Sequence, residues 1–159
     1  MDVDETCCIR SVSEHDLGAL IALCAEHAAY EGATYNQLNK CERLFHALFA
    51  PAPRLYAWVV EQHGQLVGYA TASQEFSTWD AANFLHMDCL YLRETMRGAG
   101  IGQLLVNEVV RLARQLDCIN IQWQTPIWNE RAQQFYRRLG AEGKPKVRYY
   151  LAGDAVSIS

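Results

Sequence analysis

Six residues in the second half of the chain, Arg97 to Gly102, read Arg-Gly-Ala-Gly-Ile-Gly and stand directly before a run of helix-forming residues. A helix N-terminus presents amide groups without intrahelical partners and the positive end of the helix dipole, so it binds anions. Glycines let a phosphate approach those amides because no Cβ stands in the way. With Arg97 as a mobile cation beside them and Gln103 at the helix start, these residues predict a phosphate cradle.

The elements that must position this cradle follow from hydrophobic periodicity. A long helix has the clearest period of 3.6 residues in the chain, and its predicted buried stripe consists of Ile101, Leu104, Leu105, Val109, Leu112, Ala113 and Leu116. The whole predicted order is β-αα-βββ-α-β-α-β, with strands at 9–12, 55–61, 66–72, 83–92, 118–124 and 147–151 and helices ending near Tyr30, before Pro51, near Leu116 and at Gly140. Asn129 is predicted to cap the last helix. This order predicts an α+β fold with a central mixed, mostly antiparallel sheet flanked by helices.

Three phosphate-binding motifs have glycines at comparable spacing. A P-loop ends in Gly-Lys-Ser/Thr, whereas Gln103 follows Gly102, so the lysine and the magnesium ligand are missing. The dinucleotide fingerprint, G-x-G-x-x-G, follows the first strand of a βαβ unit, whereas this G-x-G-x-G stretch follows an antiparallel meander. The third motif, R/Q-x-x-G-x-G/A between a strand and a long helix, is the pyrophosphate loop of acetyl-CoA-dependent N-acetyltransferases, and it fits without a gap. A glycine-rich turn with no ligand is the remaining alternative.

Composition excludes several other classes of protein. The 159 residues are the usual size of one domain, so we expect residues 1–159 to form a single acetyltransferase domain, with residues 1–8 as a flexible N-terminal extension. A net charge of −4 gives no basic footprint for nucleic acid. No apolar run reaches the roughly 18 residues that a membrane span needs, and the acidic N-terminus is unlike a signal peptide. These features predict a cytoplasmic protein without nucleic-acid or membrane partners.

The six cysteines show no C-x-x-C pair and no histidine at zinc-finger spacing. In a compartment that keeps thiols reduced, such residues behave as small hydrophobic side chains. We therefore predict neither a metal site nor a disulfide framework.

Several segments beyond the glycine stretch make a resemblance specific. The chain from Ile9 to Leu151 resembles the GNAT superfamily of N-acetyltransferases, and within it the diamine and spermidine/spermine N-acetyltransferase branch. The segments that carry this resemblance are Ala29-Tyr30-Glu31, Phe76-Ser77-Thr78-Trp79, Met87-Asp88-Cys89-Leu90-Tyr91-Leu92, Trp128-Asn129-Glu130 and Phe135-Tyr136-Arg137-Arg138-Leu139-Gly140.

The resemblance implies a cofactor, acetyl-CoA, and where it binds. In this superfamily the fourth and fifth strands splay apart, and the pantetheine arm lies in the gap along the fourth strand. The pyrophosphate lies on the glycine loop, and the next helix start approaches the far end of the pantetheine arm. The expected cofactor-binding residues are Leu90, Tyr91, Leu92, Arg97, Gly98, Ala99, Gly100, Ile101, Gly102, Gln103, Asn129, Arg131 and Ala132.

The resemblance also implies catalytic roles for two residues. An alkylamine has a pKa of about 10 and arrives protonated, so a group must accept its proton, directly or through water. Asp88 matches the acidic residue that the family uses for this, and Tyr136 matches the tyrosine that serves as general acid to the coenzyme A thiolate. Histidine's ordinary pKa of about 6.5 suits a base at neutral pH, which makes His86 a second candidate.

Strand alternation predicts which side chains share a face with Asp88. It places Phe84, His86, Asp88 and Leu90 on one face and points Cys89 away from Asp88. An acyl-cysteine route, which needs a base beside an open thiol, is therefore disfavoured.

The substrate is predicted to be a primary amine of a small molecule, bound by Tyr30, Glu31, Trp79, His86 and Asp88. Cys89 stands where polyamine enzymes carry a second acid, and Lys144, Lys146 and Arg148 would suit a substrate with a carboxylate or phosphate as well as an amine. A diamine, a polyamine, an amino-acid-like amine and an antibiotic amine all stay open. The alternatives are a protein or peptide N-acetyltransferase and a non-catalytic acetyl-CoA-binding module. Family habit implies a homodimer.

Overall fold

The computed structural model describes residues 7–155. The chain divides into two compact units, Met1–Gln124 and Thr125–Ser159, which are described here one at a time. Whether residues 1–159 act as one domain stays a prediction. Residues 1–6 of the predicted flexible extension lie outside the described residues, while Cys7 and Cys8 are the first two residues of the first strand.

The first unit contains a five-stranded sheet in the order β1-β2-β3-β4-β5. The first four strands pair antiparallel, and β4 pairs parallel with β5. The elements are β1 (Cys7–Ser11), α1 (Leu17–Tyr30), α2 (Lys40–Phe49), β2 (Tyr56–Gln62), β3 (Gln65–Ser77), β4 (Ala82–Leu92), α3 (Ile101–Gln115) and β5 (Ile121–Gln122), with short 3-10 turns at Glu14–Asp16 and Glu94–Met96. The predicted α+β class and the mixed sheet are confirmed.

The core on one face of the sheet forms because α1 repeats its apolar side chains at helical spacing. Leu20 and Leu23 are each 1% exposed and pack with Val59 of β2 and Tyr69 of β3. Cys89 and Tyr91 of β4 pack against the same cluster. The C-terminal half of α1 therefore lies over the end of β4, next to the predicted cradle.

Helix α3 packs against β3 and β4 and buries Leu105 and Val109 completely. Its period was predicted from sequence, and its start at Ile101 agrees with that prediction. Leu104, which was assigned to the buried stripe, is 42% exposed, while Val106 is buried in its place. Because β4 ends at Leu92 and α3 begins at Ile101, the N-terminus of α3 follows directly on the loop at the end of β4.

Strand β5 is much shorter than the predicted 118–124. It pairs with β4 only at Leu85↔Ile121 and His86↔Gln122. Within residues 7–124, the part of β4 from Met87 onward has a strand neighbour on the β3 side alone. This one-sided pairing agrees with the predicted splaying of the fourth and fifth strands.

The second unit contains one α-helix, α4 (Glu130–Arg138), within the part of it that is described. The Asn129 side chain accepts a hydrogen bond from the Ala132 amide at 3.1 Å, which caps the helix as predicted. Gly140 takes a left-handed conformation (φ +89°) after its last turn. The predicted final strand at 147–151 is wrong: these residues form no strand, and Val147, Tyr149 and Leu151 are 76%, 91% and 70% exposed. Alternation alone cannot form a strand without a neighbour to pair with.

No helix among residues 7–155 combines the length and apolarity needed to cross a bilayer.

Candidate acetyltransferase site

The glycine loop has the backbone that an anion cradle needs. Gly98 and Gly100 have φ angles of +85° and +81°, in the left-handed region that side chains with a Cβ rarely adopt. A Cβ built on either glycine would meet nothing within 4 Å, so both open onto free space. Gly100 is the N-cap of α3, and the first amides of that helix have no intrahelical partner. The loop therefore fits a phosphate group, and Ala99 and Gly100 are exposed as this requires.

Arg97 is held toward the sheet, in contrast to the mobile cation that the sequence suggested. Its Nε donates to the Leu92 carbonyl at 2.9 Å. Its guanidinium carbon lies 4.7 Å from the centre of the Tyr30 ring and 5.7 Å from that of Tyr91, which are cation–π distances. Arg97 therefore links the glycine loop to α1.

A β-bulge at Asp88 corrects the predicted arrangement of β4. Thr71 of β3 pairs with Cys89, whereas the next residue, Ala72, pairs with Met87, so Asp88 is an extra residue without a cross-strand partner. The bulge shifts the alternation by one residue. Cys89 thus joins the face that packs on α1, and the prediction that Phe84, His86, Asp88 and Leu90 share one face fails after Asp88.

Asp88 lies between two side chains that could affect its chemistry. Its Oδ1 is 3.6 Å from His86 Nε2, and its Oδ2 is 3.8 Å from Cys89 Sγ. The prediction that Cys89 points away from Asp88 is therefore wrong, and the bulge is the reason. The Asp88 side chain is 62% exposed, so it can meet a ligand from solvent.

The Cys89 thiol is nevertheless a poor nucleophile. Burial, reinforced by the Asp88 charge, raises the pKa of Cys89 to about 12. A thiolate is the reactive form of cysteine, and it is disfavoured at neutral pH under these conditions. The structure thus gives a physical reason against an acyl-cysteine route that differs from the sequence argument.

His27 on α1 is the residue in this region that sequence reasoning missed. Its Nδ1 lies 2.8 Å from the Tyr69 hydroxyl and its Nε2 lies 3.4 Å from Glu31 Oε2. Its ring stacks on Tyr91 with 5.1 Å between centroids. Burial lowers the pKa of His27; the charges of Glu31 and Asp88 oppose this shift, and that of Arg97 adds to it. The available signal was its spacing, because His27 continues the stripe of Leu20 and Leu23 and precedes Glu31 by one turn.

The structure brings some of the predicted substrate residues together. Tyr30, the last residue of α1, lies beside Tyr91, with 6.4 Å between ring centroids, and beside Arg97, while Glu31, the next residue, lies beside His27. Trp79 lies elsewhere, in the turn between β3 and β4, and is 96% exposed. The turn ends at Ala82, nine strand residues before Tyr91, which is about 30 Å along a strand. Trp79 is therefore far from Tyr30 and Glu31 within the first unit.

The other predicted residues belong to the second unit. Tyr136 is half-buried on α4, and its ring centroid is 5.5 Å from that of Phe135. Asn129, Arg131 and Ala132 form the cap and first turn of the same helix. A role for these four residues in cofactor binding or catalysis stays a prediction.

Among residues 7–155, no group of three or more His, Cys, Asp or Glu side chains is arranged to hold a metal ion.

Comparisons with known proteins agree with this geometry. Residues 19–141 match the family model for the acetyltransferase (GNAT) family. Thialysine N-epsilon-acetyltransferase of Bos taurus is 29% identical over 143 residues, covering 84% of this chain and 83% of that protein. An aminoglycoside acetyltransferase from an uncultured soil metagenomic sample, solved with trehalose, superimposes with a TM-score of 0.79 at 20% identity, covering 95% of this chain and 99% of that chain.

An aminoglycoside N-acetyltransferase solved in complex with CoA superimposes with a TM-score of 0.75 at 19% identity, covering 92% of this chain and 95% of that chain. Both solved structures share the fold of this protein. The family match spans most of the chain and includes the glycine loop, the bulged strand and the end of α1. On this basis the chain belongs to the acetyltransferase (GNAT) family.

Proposed function

We propose that this acetyltransferase moves an acetyl group from acetyl-CoA directly to a primary amine of a small molecule. The observation that carries the proposal is the glycine loop, where two left-handed glycines open onto free space at the N-terminus of α3. When bound, acetyl-CoA would supply the thioester that an amine attacks. The amides from Gly98 to Gln103 would hold its pyrophosphate, and the one-sided end of β4, Leu90 to Leu92, offers backbone groups for its pantetheine arm.

The amine would enter beside the carboxylates of Glu31 and Asp88. Within residues 7–155 the ion-pair partners of these two carboxylates are histidines, His27 and His86. An ammonium group arriving there meets negative charge that no arginine of the described part of the chain pairs with, which favours a cationic substrate. The relative that acts on thialysine supports an amine on an amino-acid-like molecule, although a diamine, a polyamine and an antibiotic amine fit the same charge pattern.

Proton transfer is assigned to two side chains. Asp88, exposed at the bulge, would accept the proton of the bound ammonium at a carboxylate oxygen, directly or through water. His86, 3.6 Å away, is the second candidate for this step. Tyr136 would serve as the general acid: its hydroxyl would donate its proton to the leaving sulfur, so that coenzyme A departs as the thiol, and the phenol would be reprotonated from solvent.

Other parts of the proposal rest on composition and family habit. Residues 1–159 would act as one domain, and the protein would be a cytoplasmic homodimer without nucleic-acid or membrane partners. Light scattering of the purified protein after size exclusion tests the dimer, since a monomer mass at micromolar concentration contradicts it.

The test of the central proposal is a thiol-release assay with acetyl-CoA across thialysine, polyamines, amino acids, aminophosphonates and aminoglycosides. We expect turnover with at least one cationic amine, and a loss of kcat in Tyr136→Phe of about ten-fold or more. Phe135→Leu, which changes the neighbouring ring on α4, is the matched control and keeps the hydroxyl of Tyr136. Undiminished kcat in Tyr136→Phe contradicts the acid assignment, and a lack of acetyl-CoA binding contradicts the whole proposal.

A further inference from the structure

His27 joins a buried phenol to a half-buried carboxylate. The Tyr69 hydroxyl lies 2.8 Å from Nδ1 on one side of the ring, and Glu31 Oε2 lies 3.4 Å from Nε2 on the other. Stacking on Tyr91 and an edge contact with Tyr69, with centroids 5.1 Å and 5.8 Å away, leave the imidazole little freedom. The His27 side chain is 15% exposed and that of Glu31 is 33% exposed, so the contact faces solvent on the Glu31 side.

The hydrogen-bond roles of this arrangement follow from the chemistry of the partners. Burial raises the pKa of Tyr69, so its phenol keeps its proton and can donate to Nδ1. The neutral imidazole then carries its own proton on Nε2, the ring nitrogen that lies 3.4 Å from Glu31 Oε2. The N–H group is thus beside one carboxylate oxygen of Glu31 while the imidazole stays uncharged.

A second glutamate on α1 shows why an uncharged partner matters. Glu26 receives two hydrogen bonds from Arg93, at 2.7 and 3.1 Å, and its charge is cancelled by the guanidinium. Glu31 instead has the imidazole of His27 beside it, and an uncharged imidazole supplies no counter-charge to its carboxylate. Helix α1 thus carries one glutamate that serves structure, and the residue that caps its C-terminus is a glutamate that stays available to a cation.

We propose that His27 is a positioning residue for substrate binding: held by Tyr69, it fixes the carboxylate of Glu31 toward the amine without neutralising it. The inference rests on the proposed function, because it takes Glu31 to bind the ammonium group of the substrate. It adds a residue that the sequence pattern did not indicate and a cause for the affinity of the site for cationic amines.

The first test does not need turnover. Nitrogen-15 NMR of the imidazole groups in the free protein should show His27 as the Nε2-protonated tautomer at pH 7.5, and Tyr69→Phe should remove that preference. An Nδ1-protonated His27 in wild type overturns the proposed orientation of the ring. His46 is an exposed histidine of α2, so the variant His46→Gln identifies the His46 signals by their loss without disturbing the surroundings of His27.

The second test is a double-mutant cycle on the amine KM, with thialysine or the best amine of the panel. His27→Phe keeps an aromatic ring but removes both nitrogens, and we expect it to raise the amine KM about ten-fold while the KM for acetyl-CoA stays unchanged. His27→Gln, which can still donate to Glu31, should recover part of the loss. In a Glu31→Gln background, His27→Phe should add less than two-fold, since the two residues act as one unit.

The outcomes separate this inference from the proposed function. If His27→Phe raises the amine KM equally in both backgrounds, or shifts both substrate KM values alike, His27 only packs and the inference is wrong. If Glu31→Gln raises the amine KM while His27→Phe does not, the inference alone fails. If no amine is acetylated, or Glu31→Gln leaves the amine KM unchanged, the assignment of Glu31 to the amine fails and the role of His27 fails with it.

Discussion

The two ends of α1 carry clusters of charged side chains that are built differently. At the N-terminal end, Arg10 contacts both oxygens of Asp16, at 2.6 and 2.9 Å, and also Glu61 at 2.9 Å. The Ser13 amide donates to Asp16 as well, at 2.7 Å. At the C-terminal end, Glu31 lies beside a histidine and an aromatic cluster.

The N-terminal cluster stabilises the fold, whereas the C-terminal cluster is able to bind a ligand. Asp16 is buried and its carboxylate is paired with Arg10, so its charge stabilises the fold and is not accessible to a ligand. Glu31 and Asp88 are partly exposed, and their neighbours are titratable rather than permanently charged. Substitutions at the first end should therefore lower stability, and substitutions at the second should lower activity.

The largest expected effect is on turnover, in Asp88→Asn. Replacing a group that accepts a proton in the transition state costs about 10²- to 10⁴-fold in rate, so we expect kcat to fall within that range with little change in the free energy of unfolding. Glu75→Gln, an exposed carboxylate on β3, is the matched control and should keep full activity. If Asp88→Asn keeps full activity and His86→Gln is inactive, the role of general base belongs to His86 and not to Asp88.

The next effect, at the other end of α1, is on stability. Asp16→Asn removes a buried carboxylate that pairs with the part-buried Arg10, and should lower the free energy of unfolding by about 2–3 kcal/mol, as measured by urea denaturation. The KM values of the folded enzyme should not change. A variant with wild-type stability and altered amine KM would break the proposed division between the two ends.

The glycine loop gives a smaller effect that is specific to the cofactor. Gly100→Ala places a Cβ on a left-handed backbone, which destabilises the loop conformation by about 1–2 kcal/mol. Because acetyl-CoA is expected to bind that conformation, its affinity, measured by calorimetry, should fall about ten-fold. Gly64→Ala is the matched control, since Gly64 has a similar φ of +75° in the β2–β3 turn and open space around it. Equal losses of acetyl-CoA affinity in both variants would contradict a cradle at Gly100.

The smallest effect is the pH dependence of stability, which differs at the two ends. Interaction with Arg10 lowers the pKa of Asp16 in the folded protein, so its stabilisation is present above its unfolded pKa, near 4, and is lost as the pH falls further. Burial lowers the pKa of His27, so the unfolded chain binds the extra proton first. Stability should therefore begin to fall as the pH drops through about 6.5.

Denaturation of wild type and His27→Gln between pH 3 and 8 separates the two contributions. The variant should lose the decline that begins near pH 6.5 and keep the one that begins near pH 4. A decline near pH 6.5 that persists in His27→Gln would assign it to another histidine.

Much of the fold could be predicted from sequence because its signals are local. The apolar period of α3, the glycine pair before it and the cap at Asn129 each need only neighbouring residues, and all three are confirmed. The strand predicted at 147–151 also had a local pattern, but a strand needs a partner, and pairing is not a local property.

The candidate site was predicted in part for the same reason. Asp88 was chosen by resemblance, but a bulge depends on the register between two strands, so its true neighbours, Cys89 included, could not be read from alternation. His27 resembles any polar residue that ends an apolar stripe. Its role depends on Tyr69 and Tyr91, which lie far along the chain and meet α1 only in the folded sheet.

The main proposal is that two carboxylates, Glu31 at the C-terminal end of α1 and Asp88 on β4, serve acetyl transfer from acetyl-CoA to a small cationic amine. The most direct measurement is mass spectrometry of the products after incubation of the wild-type protein with acetyl-CoA and the amine panel. We expect an N-acetylated amine formed in step with released coenzyme A thiol, and a strong loss of both in Asp88→Asn. Thiol release without any acetylated amine, or product formation that Asp88→Asn and Glu31→Gln both leave unchanged, would contradict it.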